Sequence, residues 1–248
     1  MSDTQTKGKA KSSKRKGFDY LRNSIVNFPA GARALYAFVF SVLHVFSSIV
    51  YPTTFRGEEN LTAGEDGKGA VLVMNHVSMV EPVVFIIGLW CRGIHVRPLY
   101  KIDFDKIAPA RWLFRRVGGI PVDRGSADLK ALKACRDALK RGEYVLVYPE
   151  GTRVKNDEQP IELHGGFAMI AQMAGANVIP CAVVGAADPY KTRKTRRRMP
   201  KIAIGKPISF DELEATDRKG RVSEMERVAM NDVYALRDEL RNDYPGLW

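Results

Sequence analysis

The chain has 248 residues, 45% of them hydrophobic, and a net charge of +11. That length suits one large domain with a short extension, and the ordinary apolar share can fill a substantial core. Cys91, Cys135 and Cys181 lie far apart with no CxxC or Cys/His ligand spacing, which argues against a disulfide framework or a zinc site and for a reducing compartment.

The positive charge is not spread evenly. Residues 1–16 hold Lys7, Lys9, Lys11, Lys14, Arg15 and Lys16 against Asp3, and KTRKTRRRMPK (191–201) holds seven basic residues and no acid. The rest of the chain is close to neutral. Solvated charge, an anionic membrane surface and nucleic acid all fit two such patches.

Taken in chain order, the Lys/Ser/Gly-rich residues 1–16 read as a disordered basic tail. Residues 17–33 read as an amphipathic, interfacial helix. ALYAFVFSVLHVFSSIVY (34–51) contains no Asp, Glu, Lys or Arg. It can lie in or on one leaflet, span a bilayer at the short end of the length range, or be a buried core helix. A basic tail just before an apolar run favours membrane over RNA, and no aromatic RNA-binding signature accompanies it. If the run spanned once with its tail inside, the positive-inside tendency would place residues 55–248 outside. A one-leaflet or re-entrant placement on the cytoplasmic side of the cell membrane, peripheral or monotopic, is the expectation.

From about residue 55 short apolar runs alternate with helix-like segments. AVLVM (70–74), IHVRPLY (94–100), YVLVYP (144–149), NVIPCAVVG (177–185) and KIAIG (201–205) read as strands. Residues 126–142 read as a helix capped by Ser126 and ended by Gly142, with Leu129, Leu132, Cys135 and Leu139 on one face. Residues 166–176 and 222–243 read as two more helices. The pattern predicts an α/β fold with a mixed, mostly parallel sheet flanked by helices, behind an N-terminal membrane-associated helical segment. The implied division is a basic tail (1–16), a membrane-associated region (17–54) and an α/β domain (55–248).

The chemistry concentrates where predicted strands end. MNHVSMVEP (74–82) places His76 five residues before Glu81 at a strand-to-helix junction, a favoured site for functional groups in open α/β sheets. Two readings compete. Ser78-Met79-Val80-Glu81 matches a capping box, in which Glu81 only satisfies helix-start N–H groups. Alternatively, Glu81 fixes the tautomer of His76, which then takes a proton from a hydroxyl. GxSxG is absent, so such a pair would act on a substrate hydroxyl directly. GGIPVDRG (118–125) puts Arg124 just before a helix start, a place suited to phosphate. YPEGTR (148–153) puts Glu150 and Gly151 after a strand, where Glu150 could accept from a hydroxyl and Gly151 allow close approach.

In this order, NHVSMVEP, GGIPVDRG, YPEGTR and VIPCAVVG resemble the four blocks of the glycerolipid acyltransferase family, the 1-acylglycerol-3-phosphate acyltransferase type. RGEENL (56–61) and IGKPI (204–208) resemble further landmarks, so the likeness runs over about 55–210. The resemblance implies transfer of a fatty acyl group from acyl-CoA or acyl carrier protein to a lysophospholipid hydroxyl, the sn-2 hydroxyl of 1-acylglycerol 3-phosphate, giving phosphatidic acid. It implies His76 as base, Glu81 as its partner, Arg124 at the phosphate, and Glu150, Gly151, Thr152 and Arg153 at the substrate. Pro180 shapes the fourth block. No metal, cofactor or nucleic acid is implied; the partners are the acyl donor, the lysophospholipid and an anionic membrane surface. The chain departs from the pattern at Glu81, where the family has aspartate, and at ELHGGF (162–167), where no phosphate role is assigned. Other acceptors stay open: a different lysophospholipid, glycerol phosphate or an amino-acid-derived lipid. A non-catalytic basic protein that coats membrane or binds RNA would explain the two patches but not the ordered blocks.

Overall fold

A computed structural model describes residues 18–61, 67–123, 128–186 and 199–247. Seven strands form one sheet in the order β1-β7-β6-β2-β5-β3-β4. They are β1 (Thr54–Arg56), β2 (Val71–Met74), β3 (Val96–Lys101), β4 (Ile120–Val122), β5 (Tyr144–Val147), β6 (Val178–Val184) and β7 (Lys201–Ile204). Neighbours run parallel except β6 and β7, so the expected mixed, mostly parallel sheet is present. Apolar runs such as VLVM suit its centre, because a strand covered on both faces has no polar side to show. All four residues of β2 are buried.

The period-two alternation of the strands sorts the core into two layers. Leu72, Met74, Leu146, Ile179 and Val183 face α1 (Ala30–Val50) and α2 (Glu81–Trp90). Val71, Val73, Val145 and Val178 face α4 (Leu129–Lys140), α5 (Gly166–Ala174) and α6 (Arg218–Asp243). A short helix, α3 (Ala108–Arg116), crosses from β3 to β4 and packs against α1.

Several expectations need correction. The helix over 126–142 starts at Leu129, and its cap is Asp128, which accepts from the backbone N–H groups of Lys130 and Ala131 at 3.0 Å each; Ser126 lies outside the described residues. Its buried face is Ala131, Cys135, Ala138 and Leu139, while Leu129 points to solvent. Gly142, at φ 82°, ends the segment as expected. The last helix begins at Arg218 because Asp217 caps it. It buries Met225, Ala229, Met230, Val233 and Leu240, so its polar look hides one apolar stripe.

The interfacial helix expected over 17–33 is not formed. Residues 18–29 are irregular apart from a single 3₁₀ turn, Ile25–Asn27, and α1 begins at Ala30. A buried cation takes the place of helical hydrogen bonding. Arg97 is 0% exposed and pairs through Nε and Nη2 with Glu143, at 3.0 and 2.9 Å. It also donates to the carbonyls of Tyr20 and Asn23, while Glu143 accepts the Ile25 N–H at 2.9 Å. Backbone groups that a helix would have satisfied internally are satisfied by this pair instead.

α1 is 21 residues long and mostly apolar, with Arg33 near its start, yet only Ala32, Tyr36, Phe40 and Ser47 are buried. Phe38, Val42, Phe46 and Ile49 stand exposed, the last at 77%. A core helix would cover these, so that reading of 34–51 fails. The helix is long and apolar enough to cross a membrane.

Candidate active site

The junction after β2 is built in three steps. First, the Asn75 side chain continues the β2–β6 ladder: its Nδ2 donates to the Val183 carbonyl at 3.0 Å, and its Oδ1 accepts the Val183 N–H at 2.8 Å. A buried amide that copies a backbone pair ends the strand without orphaned groups. Second, His76 is held by its backbone at both ends. Its N–H donates to Glu150 Oε2 at 2.6 Å, and its carbonyl accepts the Val154 N–H at 2.7 Å. Third, the chain turns back into α2, whose first residue is Glu81.

Glu81 is 0% exposed and both its oxygens are taken up. Oε1 accepts the Val77 N–H at 3.0 Å and contacts His76 Nδ1; Oε2 accepts the Ser78 N–H at 2.7 Å and the Ser78 hydroxyl at 2.6 Å. Ser78 Oγ in turn accepts the Val80 N–H at 2.9 Å. The capping box and the His–carboxylate pair are therefore one network, and the two readings of Glu81 do not compete. With Nδ1 turned to a carboxylate, the imidazole keeps its proton there and presents Nε2 as the basic nitrogen. The His76 side chain is 17% exposed, enough for a substrate hydroxyl to approach.

Behind the ring lies Tyr148, with centroids 4.3 Å apart. Its hydroxyl is buried and has no hydrogen-bond partner among the described residues. Burial, with Glu81 and Cys181 adding to it, holds the phenol well above its ordinary value of 10. It is a neutral wall under the imidazole.

The YPEGTR loop differs from its sequence reading. Glu150 is buried, and its carboxylate faces inward: one oxygen takes the His76 N–H and the other the Tyr234 hydroxyl, at 3.3 Å. It braces the His76 loop. Gly151 has φ 62°, and a Cβ there would stand 2.6 Å from His164 Cδ2, so the close neighbour is a side chain of this chain. Thr152 and Arg153 are exposed in the same loop. Arg124 lies outside the described residues. Tyr234 and Val154 were not legible as site residues. Tyr234 stands 84 positions from its partner, and Val154 contributes only a backbone N–H.

Burial is the largest influence on Glu150 and raises it above its ordinary 4.5, against the lowering effect of the His76 N–H and Tyr234. The folded chain therefore holds this proton more tightly than the unfolded chain. Its contribution to stability is lost as pH rises from 4.5 through the raised folded value. Glutamine cannot ionise. Thermal unfolding across that pH window should show the difference between Glu150→Gln and the native chain moving in the variant's favour as pH rises. A difference that stays constant with pH would mean Glu150 is not titrating in its buried setting.

Between α1 and α2 runs a cleft of about 220 Å³, lined by His44, Ser47, Tyr51, Phe55, Val84 and Ile87 among others. On α2 the lining runs from Val84 to the far end of the helix, and neither His76 nor Glu81 belongs to it.

A family model described as Acyltransferase matches residues 52–184. A 1-acyl-sn-glycerol-3-phosphate acyltransferase of Bacillus subtilis (strain 168) is 25% identical over 209 residues, covering 83% of this chain and 98% of that protein. A protein of the same description from Chlamydomonas reinhardtii is 31% identical over 137 residues, 54% of this chain and 39% of its own length. The crystal structure of the 1-acyl-sn-glycerophosphate (LPA) acyltransferase PlsC from Thermotoga maritima superposes with a TM-score of 0.57 at 20% identity, over 86% of this chain and 85% of that one. At that identity the likeness concerns the fold.

Proposed function

The chain belongs to the acyltransferase family, and from that premise we propose that it moves a fatty acyl group from acyl-CoA or acyl carrier protein to the sn-2 hydroxyl of 1-acylglycerol 3-phosphate, giving phosphatidic acid. One observation carries the reading: a buried carboxylate on Nδ1 of a histidine whose backbone is pinned from both sides. His76 Nε2 takes the acceptor's hydroxyl proton as its oxygen attacks the thioester carbonyl. The tetrahedral adduct collapses, the C–S bond breaks, and the departing thiolate recovers the proton from the imidazolium. Glu81 stabilises that imidazolium while it exists. No covalent enzyme intermediate is needed.

The names of the relatives support the acceptor, and the resemblance of GGIPVDRG supports Arg124 as its phosphate contact. Glu150 acts as a positioning residue, and the exposed face of α1 seats the protein on the cytoplasmic leaflet of the cell membrane. Purified protein given labelled oleoyl-CoA or acyl carrier protein with a panel of acceptors tests the proposal. Equal transfer to phosphate-free and phosphate-bearing acceptors would overturn it.

Glu81→Gln separates the pair from a simple cap. Both Glu81 oxygens receive N–H donors, so an amide must turn its own NH₂ toward one of them. The expected result is a fall in kcat of roughly 10²-fold or more. Glu81→Asp keeps two acceptors one methylene further away and should lose less. Full activity in Glu81→Gln would leave the residue as a cap alone.

A further inference from the structure

The stretch from Lys101 to Arg116 links β3 to β4 with little burial. α3 buries none of its residues, and neither does the 3₁₀ turn Ile102–Lys106 before it. A nine-residue helix is marginal in water on its own. Its Phe114 stacks on Tyr100 at 4.4 Å and leans on Phe104. Five large apolar side chains, Ile102, Phe104, Ile107, Trp112 and Leu113, stand open to solvent, with Ile107 at 55% and Trp112 at 48%. Scattered exposed apolar residues need no explanation, but five within twelve positions form a patch.

Cations surround the patch. Lys101, Lys106, Arg111, Arg115 and Arg116 outnumber Asp103 and Asp105. Asp103 is shared by Lys101 and Lys106, and Asp105 accepts from Arg115 and the Tyr100 hydroxyl. Arg116 lies over the Trp112 ring at 4.1 Å. A tryptophan and aliphatic side chains within a basic rim is the composition of a helix lying in a membrane interface. Position agrees with composition. β3 is parallel to β5, and β5 to β2, so the patch begins at the same carboxyl edge of the sheet as His76. α3 also packs against α1, which carries its own exposed apolar residues.

We propose that the 3₁₀ turn Ile102–Lys106 and α3 form a second bilayer-docking surface that seats on anionic lipid beside α1 and turns the carboxyl edge of the sheet toward the membrane. This rests on the reading of α1 as a membrane contact. Two contacts on one rigid layer fix an orientation that one helix leaves free to roll. The occupant is a bilayer because α3 packs against α1 and because a tryptophan and aliphatic side chains beside an excess of cations suit an anionic lipid surface. A basic patch near a thioester site would also fit an acidic carrier protein, and the test separates the two.

The experiment uses the full chain with phosphatidylcholine vesicles, with and without phosphatidylglycerol, and with bromine-labelled acyl chains. Part of the tryptophan emission should be quenched by bromolipid, and Trp112→Phe should remove that part. Trp112→Glu with Leu113→Glu should lower partition onto phosphatidylglycerol vesicles by roughly tenfold or more. It should also slow turnover of bilayer-held acceptor while sparing a short-chain, water-soluble one. If the double variant unfolds, the Trp112→Phe quenching result decides alone. Native binding with Trp112 unquenched would overturn the proposal and leave α1 as the contact. Absence of native binding would overturn the α1 reading and this one with it. Unchanged vesicle binding, with loss of turnover only from carrier-protein donor, would also overturn it and assign the surface to that protein.

Discussion

His76→Ala is expected to lower kcat by about 10²–10⁴-fold, the usual worth of a positioned general base, with little change in the melting temperature. The backbone of residue 76 makes the structural bonds, its N–H to Glu150 and its carbonyl from Val154, and alanine keeps both. Among the described residues, the imidazole contacts Glu81 and lies tilted against the Tyr148 ring. Activity and fold should therefore separate cleanly, with the loss in kcat and not in KM, because the proton moves only as the transition state forms. Steady-state kinetics beside thermal unfolding checks this. Near-native turnover in a folded His76→Ala protein would remove His76 from the mechanism.

Arg97→Met should produce the largest loss of stability, about 3–5 kcal/mol. Two costs combine. Glu143, also buried, loses its main cation, and the carbonyls of Tyr20 and Asn23 lose a donor. For a chain of this size the melting temperature should fall by roughly 10 °C. Residues 18–28 should become sensitive to trypsin at Arg22. Adding Glu143→Leu removes the stranded carboxylate and should recover part of the loss. What it does not recover measures the tethering of the N-terminal segment. A small single-variant effect with native protease resistance would show that the segment is held by Ile25 and Phe28 packing instead.

The sequence made the centre of this fold legible and its margins obscure. β2, β5 and β6 announce themselves because strands covered on both faces must be apolar throughout. β1 and β4, the two edges, have three residues each, too few for any alternation to register. Residues 17–33 misled for a different reason. Their aromatic and polar residues suit an amphipathic helix, but the donor that satisfies their backbone is Arg97, over 70 positions away in sequence. Local pattern cannot see such a partner. The site divides the same way. His76 and Glu81 are five residues apart and visible as a motif. The bond that turns Glu150 inward comes from Tyr234 on α6, 84 positions away, which four letters after a strand could not show.

The sheet order has a consequence for how the chain is made. β1 follows α1 directly, yet its partner is β7, with Thr54 beside Lys201. Arg56 then reaches Glu239 and Asp243 near the end of α6. A ribosome releases the chain from its N-terminus, so α1 emerges while most of the sheet it packs on is still unmade. Its apolar surface must be sheltered in that interval, and a bilayer close to the exit site would shelter it. Synthesis in detergent-free extracts without vesicles should then yield mostly aggregate, while vesicles added during translation rescue folding and the same vesicles added afterwards do not.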